Sequence, residues 1–161
     1  MDKLYKLDCA SPIGVVEIIG SKGYVHSIMF SERSAPQYAV GADTPEALKD
    51  CQRQLGEYFN GERREFTFPY VWEGTSFQKT VWEALTRIPY AQTVSYKDIA
   101  TDIGNEKAIR AVGNANSKNI ISIVVPCHRV IGSDRTLTGY AGGIWRKEWL
   151  IQHEKMCKAG K

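Results

Sequence analysis

The sequence predicts an α+β chain of two domains. Three observations carry that expectation. As far as Phe30, short apolar-alternating segments are separated by Gly-containing turns, the pattern of a β-meander. Beyond Thr75, apolar residues recur at helical spacing instead. Charge divides along the same line: residues 1–75 hold eight Lys or Arg against eleven Asp or Glu, and residues 76–161 hold thirteen against seven. An acidic half joined to a basic half places the boundary at residues 1–73 and 74–161, with the second domain facing something anionic or merely solvated by its lysines.

Residues 4–9, "LYKLDC", alternate so that Tyr5, Leu7 and Cys9 share one face of a strand. Ser11-Pro12-Ile13-Gly14 reads as a turn, Val15–Ile19 as a second strand, and Tyr24–Phe30 as a third. Residues 31–43 are polar and loop-like. Asp43 with Glu46 forms a capping-box pattern, and Pro45 suits a first helical turn. Leu48, Cys51, Leu55, Tyr58 and Phe59 then fall on one helix face, which makes Cys51 a core residue. "FTFPY" (Phe66–Tyr70) reads as one more short strand. Phe77, Val81, Ala84, Leu85 and Ile88 mark a helix stopped by Pro89, and Ser95 caps another containing Ile99, Ala100 and Ile103. After the Gly104-Asn105 turn, Ala108, Ala111, Val112 and Ala115 line a third. A last helix, about Ile144 to Cys157, carries Trp145 and Trp149 on one face.

The bulk numbers, 161 residues with 43% hydrophobic and 24% charged, are those of a globular protein. Met1 to Leu4 contains no apolar lead, and the longest apolar run is too short for a bilayer. The expectation is a soluble cytoplasmic protein with no membrane association. The four cysteines form no CxxC pair, so free thiols and no metal site are expected.

Two short helices joined by a Gly-containing turn outline a helix-turn-helix. On the third helix Arg110 points about 150° away from the centre of the apolar stripe, on the side of Asn114 and Ser117. That face is either solvated or docks on DNA. The densest chemistry is "NIISIVVPCHRVIGS" (Asn119–Ser133), where an apolar run delivers Pro126, Cys127, His128 and Arg129. Pro126 ends a strand or marks its edge, and His128 and Arg129 are costly to bury unpaired. Neighbouring strand side chains point to opposite faces, so His128 would reach Cys127 only through a twist or a bridging water. Cys127 is a nucleophile, a metal ligand or a small buried residue. As a nucleophile it forms a hydrolysable thioester or a permanent thioether, and the basic half favours the second.

"GTSFQKTVWEALTRIPYAQT" (Gly74–Thr93), "SY" (Ser95-Tyr96), "RAVGNAN" (Arg110–Asn116), "PCHRV" (Pro126–Val130) and "LTGYAGGIWRKEWLIQHE" (Leu137–Glu154), in that order, resemble the O6-alkylguanine-DNA alkyltransferases. The resemblance implies an RNase H-like first domain and a mostly helical second domain with a helix-turn-helix. It also implies cofactor-free, single-turnover transfer of an alkyl group from O6-alkylguanine, with O4-alkylthymine as a further substrate, in double-stranded DNA bound through the minor groove by a monomer. Cys127 would accept the alkyl group, His128 would deprotonate it through a water, and Glu154 would hold the imidazole. Asn119 would brace the turn before the active-site segment. Arg110 would fill the stack left by the flipped base, and Tyr96 would donate to the guanine ring. Ala111, Gly113 and Asn116 would lie against the DNA. Tyr140 would wall the pocket, the Ala141 N–H would face the guanine O6, and the Val130 carbonyl would accept from the exocyclic amine. Ile120 stands where the family usually has proline. A non-catalytic binder of alkylated DNA is the alternative, and a Cys-His hydrolase a second.

Overall fold

The computed structural model describes residues 3–159, so Met1 and Asp2, part of the Met1 to Leu4 stretch read above as having no apolar lead, lie outside them. The chain divides into two compact units, Met1–Trp72 and Glu73–Lys161.

In the first unit, strands β1 (Tyr5–Ser11), β2 (Gly14–Gly20) and β3 (Val25–Phe30) form an antiparallel sheet in that order. The β1–β2 hairpin closes where Ser11 pairs with Gly14, whose φ of 114° favours glycine. Leu7 faces Ile18, and Ile18 faces Ile28, across the strands. Helix α1 (Glu46–Phe59) covers this sheet with Leu48, Cys51, Leu55 and Tyr58, all fully buried. A Cβ at Gly20 would come within 2.7 Å of Leu48 Cδ1, so this residue sets how closely the helix can approach. Burial pushes the Cys9 thiol up to about 11 and Cys51 well above its usual range.

Two expectations change. Pro45 itself is the N-cap of α1, with no side-chain cap bond, because the Thr44 hydroxyl turns back to accept from the Gly41 N–H at 2.8 Å. "FTFPY" forms only a parallel bridge, Tyr70 to Val25, since Pro69 has no N–H to offer a ladder. The 31–43 segment, in contrast, is firmly tied. The buried Asp8 carboxylate accepts from both terminal nitrogens of Arg33 and from the N–H groups of Gln37 and Tyr38. Arg33 also reaches Glu17 at 3.0 Å.

In the second unit, α2 (Ser76–Leu85) begins with a Thr75–Gln78 capping box, and α3 (Tyr96–Asp102) with one formed by Ser95 and Asp98. Gly104, at φ 79°, makes the turn toward α4 (Ile109–Ser117), which packs on both earlier helices. Trp82 Nε1 donates to the Ala115 carbonyl at 2.8 Å and fixes α4 on α2. The buried stripe of α4 is Val112, Ala115 and Asn116, while Ala111 is exposed, so the helix is turned relative to the alanine stripe read from spacing. A short parallel pair, β4 (Val94–Ser95) with β5 (Val130–Ile131), joins the start of α3 to the segment after Cys127. Helix α5 (Ile144–Ala159) closes the unit. Among the described residues no helix is long and apolar enough to cross a membrane.

Asp8 is held at about 2, against an ordinary 3.8, chiefly by its hydrogen bonds from Arg33. A depressed carboxylate stabilises the fold above its unfolded value and loses that contribution as pH falls through its folded one. Asp8→Asn is expected to cost about 2 kcal/mol at neutral pH. Urea unfolding of the parent protein should show that contribution fading between about pH 4 and pH 2, and the variant should lack that limb.

Candidate active site

The segment carrying Cys127 is not a strand. Residues 121–126 form a turn in which Ile123 takes φ 73°, and Cys127–Arg129 make a single 3-10 turn leading into β5. Successive side chains on a 3-10 helix diverge by about 120° rather than pointing to opposite faces. Three in a row thus point in three directions, and all three are buried because the turn is enclosed on every side. Cys127 is 5% exposed, His128 0% and Arg129 6%.

Asn119, just past α4, builds the turn. Its Oδ1 accepts from the Ile121 N–H at 3.0 Å, and its Nδ2 donates to the Val125 carbonyl at 2.9 Å. These bonds brace a turn that has Ile120 where a proline would stiffen it. The same Nδ2 lies 3.2 Å from Cys127 Sγ. Burial raises the thiol above its ordinary value, while the Asn119 bond and the charge of Lys147 pull it down. In the resting protein the group is chiefly a thiol.

Glu154 enters from α5 at 1% exposure and gathers four donors. His128 Nε2 lies 2.7 Å from Oε2, Arg129 Nε 2.9 Å from Oε1, Arg129 Nη2 3.1 Å from Oε2, and the Ala91 N–H 3.1 Å from Oε1. Burial alone would raise the Glu154 pKa, but His128 and Arg129 outweigh it and hold the carboxyl well below the usual range. An ionised carboxylate only accepts, so His128 carries its proton on Nε2. Its Nδ1 then presents a lone pair, buried and without a hydrogen-bond partner in the protein. Burial lowers the His128 pKa against the pull of Glu154, which leaves the imidazole neutral at pH 7. A neutral imidazole with a free lone pair, backed by a carboxylate, can take a proton from a thiol.

Spacing alone did not reveal two members of this cluster. Arg129 holds both Glu154 and the Ile88 carbonyl, the latter at 2.8 Å. Lys147 is fully buried and donates to the Thr138 carbonyl at 2.7 Å. A signal for it existed: Lys147, Leu150, Ile151 and Glu154 fall at i, i+3, i+4 and i+7, one face of α5. The tryptophans point away from that face, Trp145 being 57% exposed.

Tyr96 opens α3, and its hydroxyl meets Thr138 Oγ1 at 3.2 Å. Gly113 faces the Tyr96 ring, 3.9 Å from where a Cβ would stand. Arg110, Ala111, Asn114 and Ser117 form the exposed face of α4. Asn116, assigned by resemblance to the DNA surface, is instead 2% exposed on the opposite side of the helix and cannot meet DNA there. Val130 is buried in β5, Tyr140 is 8% exposed, and Ala141 lies on the surface just after it. A cleft of about 780 Å³ opens beside Ser95, Lys97, Ile131 and Arg135, but Cys127 does not line it. Among the described residues no three His, Cys, Asp or Glu side chains gather as a metal site.

Comparison with known proteins gives two family-model matches: the 6-O-methylguanine DNA methyltransferase ribonuclease-like domain over residues 4–70 and its DNA-binding domain over residues 76–156. The methylated-DNA–protein-cysteine methyltransferase of Methanosarcina acetivorans is 44% identical over 149 residues, covering 91% of this chain and 96% of the relative. The constitutive enzyme of Bacillus subtilis is 42% identical, covering 94% and 96%. The crystal structure of Mycobacterium tuberculosis O6-methylguanine methyltransferase superposes with a TM-score of 0.84 at 40% identity, over 96% of this chain and 94% of that one. Mycobacterium tuberculosis OGT in complex with DNA gives 0.84 at 42% identity, over 94% and 93%.

The buried neutral His128 carries a pH signature. Its folded pKa lies below the ordinary 6.5, so the unfolded chain binds the extra proton first. Stability is therefore lost as pH falls through about 6.5. His128→Gln is expected to flatten the decline between pH 7.5 and 5.5 in urea unfolding; an unchanged slope would count against a buried neutral imidazole.

Proposed function

The chain belongs to the 6-O-methylguanine DNA methyltransferase family, and on that premise we propose how its own residues carry out the reaction. It is a DNA-binding repair protein that reverses alkylation damage directly, by methyl transfer to a protein cysteine. We assign the acceptor to Cys127 and the substrate to O6-alkylguanine in double-stranded DNA, approached from the minor groove. The observation that carries this reading is the buried His128–Glu154 bond of 2.7 Å, which leaves the other imidazole nitrogen without a protein partner on the residue next in sequence to the buried Cys127.

The target oxygen lies inside the duplex, so the nucleotide must be extruded, at a cost of a few kcal/mol. Arg110, exposed at the start of α4, is placed to fill the vacated stack and offset part of that cost. The Tyr96 hydroxyl, bonded to Thr138 in the free protein, turns to the guanine ring as donor. Tyr140 walls the pocket, and the Ala141 N–H and Val130 carbonyl read the base. His128 Nδ1 takes the Cys127 proton through one water, and Glu154 stabilises the imidazolium. The thiolate sulfur forms a bond to the alkyl carbon as the carbon–O6 bond breaks. The guanine leaves with the electron pair and is reprotonated by the proton that left the thiol. The thioether does not hydrolyse, so each chain acts once. Every group named lies in the second unit of one chain, which fits a monomer, and the free thiols fit a reducing compartment such as the cytoplasm.

The deciding experiment is intact mass after mixing with an oligonucleotide that carries one O6-methylguanine. One added methyl per chain, absent in Cys127→Ala, is the expected result. Tight binding without any mass change would instead support a lesion-binding protein.

Arg110→Ala separates the extrusion step from the chemistry. The variant is expected to lose at least tenfold in rate on the duplex, about 1.4 kcal/mol, and to keep the parent rate with free O6-alkylguanine base. Equal losses on both substrates would remove Arg110 from the extrusion step.

A further inference from the structure

Arg146 and Lys147, neighbours in the first turn of α5, are both buried, at 7% and 0% exposed. Their charged ends go to backbone oxygens of the loop that precedes the helix. Lys147 Nζ donates to the Thr138 carbonyl at 2.7 Å, and Arg146 Nη1 to the Gly142 carbonyl at 2.9 Å. The carboxylate on the face of Lys147, Glu154, is bonded to His128 and Arg129 instead, and among the described residues no ion pair includes Lys147. Burying a cation is costly, and a neutral carbonyl compensates it less than a carboxylate does. Stability alone is often served as well by an apolar side chain at such a position, so the reason for these two cations lies in what they hold.

The two carbonyls lie four residues apart, and between them stand Gly139, Tyr140 and Ala141. Neighbouring side chains on a helix diverge by about 100°, so the pair grips the segment at both ends, where a single bond would leave a hinge. Further ties lie at the same ends. The Tyr96 hydroxyl meets Thr138 Oγ1 at 3.2 Å, and the Gly143 N–H donates to the Tyr140 carbonyl at 2.9 Å. Within this frame Tyr140 is buried while Ala141 stays on the surface. We propose that Arg146 and Lys147 are positioning residues that fasten the 138–142 segment to α5, so that the pocket wall and the N–H that reads the guanine are in place before the base arrives. The proposal rests on the roles given above to Tyr140 and Ala141. The two cations act through the backbone of the segment, not on the base. A segment ordered during folding loses no conformational entropy at the encounter, whereas a loose one loses it there and weakens recognition.

The first test uses the parent protein without DNA, so its outcome is separate from that of the repair reading. Relaxation of the 15N-labelled chain gives order parameters for the Tyr140 and Ala141 amides. Values near about 0.85, those of rigid backbone, are expected, and values under about 0.6, those of a flexible loop, would overturn the proposal. The second test compares Arg146→Met and Lys147→Met with the parent on duplex carrying O6-methylguanine and on free O6-alkylguanine base. Both variants are expected to keep the parent's affinity for undamaged duplex and to lose about tenfold or more in transfer rate on both substrates, as displaced positioning groups do. Arg146→Lys, which can still donate to Gly142, should recover most of the rate. Parent rates in both folded variants, or a loss confined to the duplex, would overturn the proposal. So would a loss in Lys147→Met alone, because the charge of Lys147 also bears on Cys127. A parent protein that transfers nothing would fail the repair reading, and the relaxation result would then decide whether the segment is fastened.

Discussion

Glu154 enters the interior of the second unit from α5 and meets donors from two other parts of the chain. His128 and Arg129 come from the 3-10 turn, and the Ala91 N–H comes from the segment after α2. Arg129 extends the connection to the Ile88 carbonyl. A buried carboxylate is tolerable only when fully paired, so these elements must be in place together. The tautomer of His128 follows from that pairing, because a carboxylate cannot donate. The free lone pair on Nδ1 follows from the tautomer. The chemistry of the site is therefore a consequence of one charge being satisfied.

Burial of Cys127 has two opposing effects. It keeps bulk solvent from the sulfur and suppresses ionisation. Asn119 and Lys147 relieve the second without removing the first, and a neutral imidazole can accept the proton when a substrate arrives. The Thr138 carbonyl accepts from Lys147, and the Thr138 hydroxyl meets Tyr96, so one residue of the 132–143 loop holds two groups of the site in the free protein.

Local signals were legible in the sequence where their physics is local. The Ser95 cap is a bond between residues three apart, and the structure has it. The strand meander is a period-two pattern, and the sheet follows it. The Asp43 cap was misread because Thr44 and Gly41 form a competing turn next to Pro45. The 121–126 run resembled a strand because every apolar run does; the positive φ of Ile123 and the Asn119 bonds that impose the turn have no composition signal. The inward face of α5 was obscured because three of its five buried positions are charged. Arg146 and Lys147 are buried with their charged ends on the Gly142 and Thr138 carbonyls of the preceding loop, and only the interval of seven to Glu154 marked one of them. Asn116 was misplaced for the opposite reason, since α4 packs on two helices and turns its buried stripe toward it.

The distribution of thiols gives the chain two independent clocks. Cys9 and Cys51 sit in the core of the first unit with pKa values raised by burial, while Cys127 and Cys157 belong to the second. A buried, un-ionised thiol reacts with a labelling reagent chiefly when its surroundings open. The trapping rate at Cys9 and Cys51 therefore records how often the sheet and α1 separate, in a native sample and without denaturant. Labelling at Cys127 follows the opening of the 3-10 turn and its surroundings. One pulse of reagent, read peptide by peptide, thus times the breathing of each unit in the same molecule, and a ligand that stiffens only one of them slows only that unit's clock.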